Sequence, residues 1–363
     1  MKYFFIFGNH PDLYLAEIFA LLGESARYLS FSSGALVIES EGLDLVALNN
    51  RLGGTVKMGE IVQLVPDLAD RNIKEAIKAV LEKATKPFFG ISLYGANHDF
   101  LKLALSLKKE LKIADRSPRY VTSRERVLSS VVVEQNKLTS GGTKIVFIKP
   151  HNGYWLGKTT VVQPFKALSA RDYGRPARDD ASGMLPPKLA QMMINLAGTA
   201  LNKTLLDPFC GSGTMLSEAA LMGYRGLIGT DLSEKAVEDS KHNFQFSISN
   251  FQTISNGQFP KAEIFKCDVR RLATEIKPGE VDFIVTEPYL GPQRPGADLR
   301  KVKRELDDLY SDAIREFKKI LKSGSKVVMI WPRMAGASGL VNIEPDISGF
   351  EMEFSLFTGS KVE

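Results

Sequence analysis

Three acidic residues close apolar runs in the second half of the chain. They are Asp207 in TLLDPFCGSGT, Asp231 in GLIGTDLSEKA and Asp268 in EIFKCDV. In an open parallel sheet, ligands bind beyond the carboxyl ends of the strands, where the chain order reverses. Gly211 and Gly213, after Asp207-Pro208-Phe209-Cys210, permit a tight turn and a close approach of backbone to ligand. A dinucleotide fingerprint, GxGxxG, would need glycine where Leu216 stands, and the turn has no Walker lysine. A carboxylate aimed into this turn would repel a pyrophosphate but suits a cationic amino-acid group. Asp231 is placed to hold ribose hydroxyls, and Asp268 to accept a hydrogen bond from an adenine amino group.

A nucleoside with a cationic tail satisfies all three positions, and S-adenosylmethionine is such a molecule. Each aspartate read alone has a plainer role, since Asp207 could cap the next helix and Asp231 begin its own. The whole string DPFCGSGT is more specific than any one residue in it. The fourth strand ends in Thr286-Glu287-Pro288-Tyr289-Leu290-Gly291-Pro292. This resembles the strand end of the amino-methyltransferases, where Asp or Asn precedes two prolines and an aromatic. An exocyclic base amine is a poor nucleophile because its lone pair is delocalised into the ring. Acceptors for its hydrogens localise the pair and aim it, while an aromatic stacks on the extruded base. Two registers fit. Without a gap, Glu287 is the acceptor, Pro288 the first proline and Tyr289 the second. Shifted by one, Tyr289 is the aromatic and Thr286 the acceptor. Glutamate is one methylene longer than aspartate, so this strand end departs from the pattern.

The elements that must position these residues follow from periodicity. From Gly183 onward helical and strand-like stretches alternate, which argues a parallel sheet covered by helices on both faces. Residues 1–65 read βαββαβ, the ferredoxin-like order. Residues 66–164 form another α/β block, with NIKEAIKAVLEKAT and FLKLALSLKKELKI helical, and FFGISLYG, SSVVVEQNKL, TKIVFIKP and YWLGKTTVVQ strand-like. Residues 165–182, with clustered arginines and little periodicity, read as a linker, and residues 183–363 as the catalytic part. On the helix from Leu299 to Leu321, the residues Leu299, Val302, Leu306, Leu309, Ala313, Phe317 and Leu321 trace a buried face.

With 363 residues, 44% hydrophobic and 25% charged, the chain is long enough for two or three domains with full cores. The net charge of +5 is compatible with nucleic-acid binding without demonstrating it. Two cysteines, Cys210 and Cys267, exclude a disulfide scaffold and suit a reducing cytoplasm. Four scattered histidines lack ligand spacing, so no metal site is expected. No apolar run is long enough to span a membrane, and the amino-terminal segment reads as strand then helix, not as a signal peptide.

RDYGRPARDDASGMLPPKLAQMMINLAG, LLDPFCGSGT and TEPYLGP together resemble the tRNA guanine-N2 methyltransferases that act on guanosine 10. The resemblance implies a Rossmann-like class I methyltransferase domain preceded by ferredoxin-like and THUMP α/β domains. It implies cofactor contacts from Met184, Leu185 and Pro186, and from Asp207, Pro208, Phe209, Cys210, Gly211, Ser212, Gly213 and Thr214. Asp231, Leu232, Asp268 and Val269 complete that set, and Glu287, Pro288 and Tyr289 would form the reacting end. A THUMP domain would grip the acceptor end of tRNA, with Lys158, Arg171, Arg175, Arg178 and Arg294 as candidate RNA contacts. Guanidinium groups on an irregular segment suit phosphates. The linker arginines could equally pair with Asp172, Asp179 and Asp180 to fix the domain angle. A DNA adenine-N6 methyltransferase and a catalytically weakened tRNA-binding homologue are the competing readings. Oligomeric state is open, as is the need for a small activator protein.

Overall fold

In the computed structural model the chain divides into Met1–Phe165 and Lys166–Glu363. The structure describes residues 1–32, 34–82, 88–113, 119–125, 127–178, 183–251, 260–292, 298–336 and 339–353, with side chains described to 110 in the third of these ranges.

The first unit runs β1 (Lys2–Phe7), α1 (Pro11–Leu22), β2 (Ala26–Ser32), β3 (Ala35–Ser40), α2 (Leu45–Arg51), β4 (Thr55–Val65), α3 (Asp70–Glu82) and β5 (Phe88–Tyr94). It continues through α4 (Leu101–Ile113), β6 (Arg119–Val121), α5 (Ser130–Gln135), β7 (Thr143–Ile148) and β8 (Tyr154–Val162). The opening βαββαβ segment forms the antiparallel order β2-β3-β1-β4. The buried Glu17 of α1 clamps the turn before β4, its oxygens accepting Gly53 N and Gly54 N at 2.8 and 2.9 Å. Both carboxylate oxygens are thereby hydrogen-bonded, which offsets part of the cost of burying the group.

The sheet does not stop at residue 65. β4 pairs antiparallel with β8, from Lys57 opposite Val162 to Val65 opposite Tyr154. One eight-stranded sheet, β2-β3-β1-β4-β8-β7-β5-β6, therefore spans both segments on either side of that position. Helices α3 and α4 cover one face through Ile73, Ile77, Leu103 and Leu107 against Phe89, Phe147 and Leu156. The opposite face carries Phe4, Ile6, Val146 and Ile148. SSVVVEQNKL, expected as a strand, is instead helix α5. Ser129 caps it by accepting Val132 N at 3.3 Å, and Val133 packs against Leu128 and Leu138. A cap and a core contact here outweigh the strand preference of three valines.

The second unit contains α6 (Phe165–Tyr173), α7 (Pro187–Ala197), β9 (Thr204–Asp207), α8 (Thr214–Leu221), β10 (Gly226–Asp231), α9 (Glu234–Phe251) and β11 (Lys261–Lys266). There follow α10 (Leu272–Glu275), β12 (Val281–Thr286), α11 (Leu299–Ile320), β13 (Leu321–Met329), and a separate hairpin of β14 (Arg333–Gly336) and β15 (Gly339–Asn342). The main sheet is parallel throughout, in the order β11-β10-β9-β12-β13. The chain winds outward from β9 and then returns to β9's other side, so the switch point lies between β9 and β12. Helices α7, α8 and α9 cover one face, and α10 and α11 the other. Each large side chain fully buried there, such as Leu205, Ile284 or Phe317, contributes about 1.5–3 kcal/mol.

Two sequence expectations change in this unit. The stretch from 165, expected to be an aperiodic linker, begins with helix α6. Only Leu168 of that helix is buried, too narrow a stripe to register as periodicity. On α11 the buried face holds Tyr310, Ile314 and Ile320 beside Val302, Leu306, Ala313 and Phe317, whereas Leu299 and Leu309 are half-buried.

Candidate active site

The two glycines of the turn after β9 serve different ends. Gly211 has φ +48°, and a Cβ built there would meet nothing within 4 Å. Gly213 has φ +81°, and its Cβ would lie 2.4 Å from Ser240 Oγ on α9. The first leaves a backbone face open for a ligand, while the second lets two helices close together. The turn is held by Cys210 N donating to Thr230 O at 2.9 Å and Gly213 N to Cys210 O at 2.7 Å. Cys210 is buried, and burial pushes its thiol up, so it is inert packing.

Around this turn the acidic residues differ sharply. Asp207 is 3% exposed, and its Oδ1 accepts Thr286 Oγ1 at 2.7 Å and Phe209 N at 3.3 Å. It is therefore not displayed in the turn, as the sequence suggested, but sits beneath it, tying β9 to β12. Burial pushes its carboxyl up to about 7, and the neighbouring Asp231 and Glu287 add to the shift. Asp231 is half-buried, with Oδ2 accepting Gly211 N at 3.0 Å and Oδ1 accepting Ser233 N at 2.9 Å. Each oxygen keeps a further lone pair for a ligand hydroxyl. Asp268 is half-buried and caps the turn after β11 by accepting Arg270 N at 3.0 Å.

At the tip of β12, Thr286 is fully buried, with its hydroxyl donated to Asp207. Glu287 is half-buried and forms no side-chain hydrogen bond among the described residues, and burial raises its carboxyl. It is thus the side chain at that tip with free acceptors. Pro288 is buried, and Tyr289 is 58% exposed. Tyr310 of α11 donates its hydroxyl to Tyr289 O at 2.7 Å and fixes the backbone there. The sequence reading missed Tyr310 because its buried stripe ran through Leu309, one position away. An aromatic with a polar tip beside that stripe was the available signal.

The sequence reading offered Arg171 and Arg175 phosphates or nearby aspartates as partners, and their shortest contacts go to other residues. Arg171 makes a two-pronged contact with the buried Glu218 of α8 at 2.6 and 3.0 Å, and Gln191 Nε2 adds a third donor at 3.0 Å. Arg175 donates Nη1 to Thr214 Oγ1 at 2.5 Å and Nε to Arg171 O at 3.0 Å. Its nearest approach to Asp172 is only 3.9 Å. Both guanidiniums are held inside this unit, Arg175 directly against the glycine turn and Arg171 against Glu218 beside it. Asn243 joins them, donating Nδ2 to Ser212 O and Ala177 O, both at 2.8 Å. An acid inside the apolar run TMLSEAAL was the sign of Glu218 that the sequence offered.

The remaining candidates lie apart. Arg178 is exposed beside the exposed Tyr173 ring, and Lys158 is exposed on β8 of the first unit. Leu185 is buried, Met184 half-buried, and Pro186 forms the N-cap of α7. Leu232 is exposed next to Asp231, and Val269 is buried next to Asp268. Arg294, Asp179 and Asp180 lie outside the described residues. Among the described residues no group of three His, Cys, Asp or Glu could hold a metal ion, and no helix is long and apolar enough to cross a membrane.

Comparison with known proteins agrees with this geometry. Residues 175–338 match the family described as RMKL-like, methyltransferase domain. The tRNA (guanine(10)-N2)-dimethyltransferase of Methanothermobacter thermautotrophicus is 34% identical over 164 residues, covering 44% of this chain and 42% of that protein. The chain thus spans under half of that relative's length. The protein of the same name from Pyrococcus abyssi is 24% identical over 323 residues, covering 86% of this chain and 85% of that one. The crystal structure of TrmN from Thermus thermophilus shares the fold, with a TM-score of 0.52, 20% identity and 91% of this chain covered against 89% of that one. The matched segment, residues 175–338, contains the β9–β12 switch point together with Asp207, Asp231, Asp268 and Glu287.

Proposed function

We propose that the chain is an S-adenosylmethionine-dependent tRNA methyltransferase that modifies the exocyclic N2 amine of a guanosine, at position 10 as in the name of its relatives. The observation that carries this reading is Glu287, a partly desolvated side chain with free acceptors at the switch point, beside an open glycine turn. The residues present fit the cofactor. Gly211 offers open backbone, Asp231 has lone pairs for ribose hydroxyls, and the buried Asp207 carboxyl would gain from a nearby cation. When bound, the cofactor supplies a methyl group on a positively charged sulfur.

The chain's own residues do the rest. Glu287 accepts hydrogens of the target amine and localises its lone pair, and Tyr289 stacks on the extruded base. Tyr310 holds the Pro288-Tyr289 backbone so that these contacts are preset. Met184, Leu185 and Pro186 line the pocket, and Asp268, Val269 and Leu232 surround the adenine.

Base chemistry favours guanine over adenine here. Guanine presents its N1–H and N2–H donors side by side, so an ionised Glu287 can accept both. Adenine places an acceptor, N1, beside its amine, and a carboxylate repels it. This argues against the DNA adenine reading. A THUMP function for residues 66–164 and RNA contacts from Lys158 in the first unit and from Arg178 and Arg294 in the sequence range of the second complete the proposal, and the compartment is the cytoplasm where tRNA is modified. Nucleoside mass spectrometry of undermodified tRNA treated with the pure protein and S-adenosylmethionine tests it. N2-methylated guanosine is expected, with dimethylation resolved by the same masses. Methylated adenine on DNA alone would refute it, and turnover by the pure chain would show that no activator protein is required.

A further inference from the structure

The first unit holds two lysines where lysines are rarely found. Lys144 of β7 is 0% exposed and Lys57 of β4 is 4% exposed. Strand alternation places them on one face. Lys144, Val146 and Ile148 share a face of β7, and Ile148 lies opposite Trp155 of β8 and beside Tyr94 of β5. Trp155, Gly157 and Thr159 continue that face along β8, Thr159 lies opposite Gly59, and Lys57 is two residues from Gly59 on β4. Burial lowers the Lys144 amine and the Lys57 charge adds to that, and the face is covered beside Lys144 by Leu128 and Leu138, which a Cβ at Gly90 would strike.

Counting donors and acceptors exposes an imbalance. An ammonium has three N–H donors. Of these, Lys144 places one on Ile145 O at 3.0 Å, and Lys57 places one on Tyr94 Oη at 3.4 Å. Among the described residues the buried Thr159 hydroxyl has no partner. Ser92 Oγ, on the same face, accepts Leu128 N at 2.9 Å and so has its own hydrogen to give. Among the described residues neither lysine forms an ion pair. The one carboxylate that acts on Lys57 is the exposed Glu125, from a distance. Buried N–H and O–H donors thus outnumber acceptors around two like charges, and such an excess is normally satisfied by a ligand or ordered water. Water would balance the hydrogen bonds but not the charge.

We propose that this face is a binding site for one small inorganic anion, chloride or phosphate, held by Lys57 and Lys144 with the Thr159 and Tyr94 hydroxyls. Lys144 and Lys57 are buried near the starts of β7 and β4, too enclosed for an RNA backbone, so the ligand is a free ion. Nothing in the proposal depends on the methyltransferase reading.

Thermal unfolding of the full chain at constant ionic strength tests it, with chloride, inorganic phosphate or the bulky gluconate as the anion. An anion bound only by the folded state raises its midpoint by mass action, here by about 2–4 °C near saturation. Chloride or phosphate should raise the wild-type midpoint saturably and gluconate should not, and Lys57→Met and Lys144→Met should lose the response. Equal responses to all three anions, or an unchanged response in both variants, would overturn the proposal. So would a rise in the midpoint of Lys144→Met with no anion dependence in the wild type, because the amine would then simply be held neutral. The wild-type comparison stands on its own if either variant fails to fold.

Discussion

The molecule contains two clusters of like charge that have been taken out of water, and they sit in opposite places. Asp207, Asp231 and Glu287 converge at the carboxyl tips of a parallel sheet, where strands end and the chain order reverses. Lys57 and Lys144 lie within strands β4 and β7, on a covered face of the sheet. The physics is the same with the sign reversed: burial disfavours the charged form, and a like charge nearby adds to the effect at Asp207 and at Lys144. Position makes the difference. A strand tip leaves an open crevice beside backbone such as Gly211, so the carboxylates can meet a large cationic nucleoside and exchange it. A site on a covered sheet face has no such opening and admits only something small.

Breaking a matched charge should have the largest effect. Glu218 is as buried as Asp207 but is held by Arg171, so Arg171→Ala would make a third unmatched cluster. It should destabilise the second unit by about 3–5 kcal/mol, read by denaturant unfolding. An unchanged midpoint would show that Gln191 and Arg175 suffice. Next comes Glu287→Ala, which should lower turnover by about 100-fold while leaving cofactor affinity unchanged, a loss comparable to removing one preset charge-stabilising contact. If turnover survives, the shifted register is correct and the backbone carries the role. Asp231→Ala should instead weaken cofactor binding by ~1–3 kcal/mol, measurable by calorimetry, with little change at saturating cofactor.

The smallest effects are in pH, and their signs separate the two clusters. Asp207 has a carboxyl raised to about 7 in the folded protein, so between the unfolded value near 3.8 and about 7 the folded state binds more protons. Stability of the second unit should fall as pH rises through that window, and Asp207→Asn should flatten the slope. Lys57 has its amine lowered from 10.5 to about 8, so the unfolded state binds more protons between those values. Stability of the first unit should therefore rise from pH 8 toward 10.5; burial lowers the Lys144 amine as well, so Lys57→Met should reduce the rise and the double variant with Lys144→Met should remove it.

The two clusters were unequally visible in the sequence. The tips were legible because short apolar runs ending in an acid, followed by glycines, are local patterns, and DPFCGSGT and TEPYLGP each fall within a dozen residues. What the carboxylates do was less legible. Asp207 looked like a displayed group and proved to be a buried tie to Thr286, since burial depends on which strand lies alongside. Arg171 and Arg175 looked like surface cations because their partners, Glu218 and Thr214, lie on a helix some forty residues away. Lys57 and Lys144 gave no sign at all. In KMGEIV and TKIVFI each is a charged residue near the start of a strand, a type normally found facing water, and only the cover over the sheet turns it inward.

The most direct test of the central claim is a crystal structure of the protein with S-adenosylmethionine bound. The nucleoside should lie across Gly211, with its ribose hydroxyls on Asp231 and its methyl carbon facing Glu287. Density for the cofactor away from the β9–β12 switch point, or a methyl group turned from Glu287, would contradict the account.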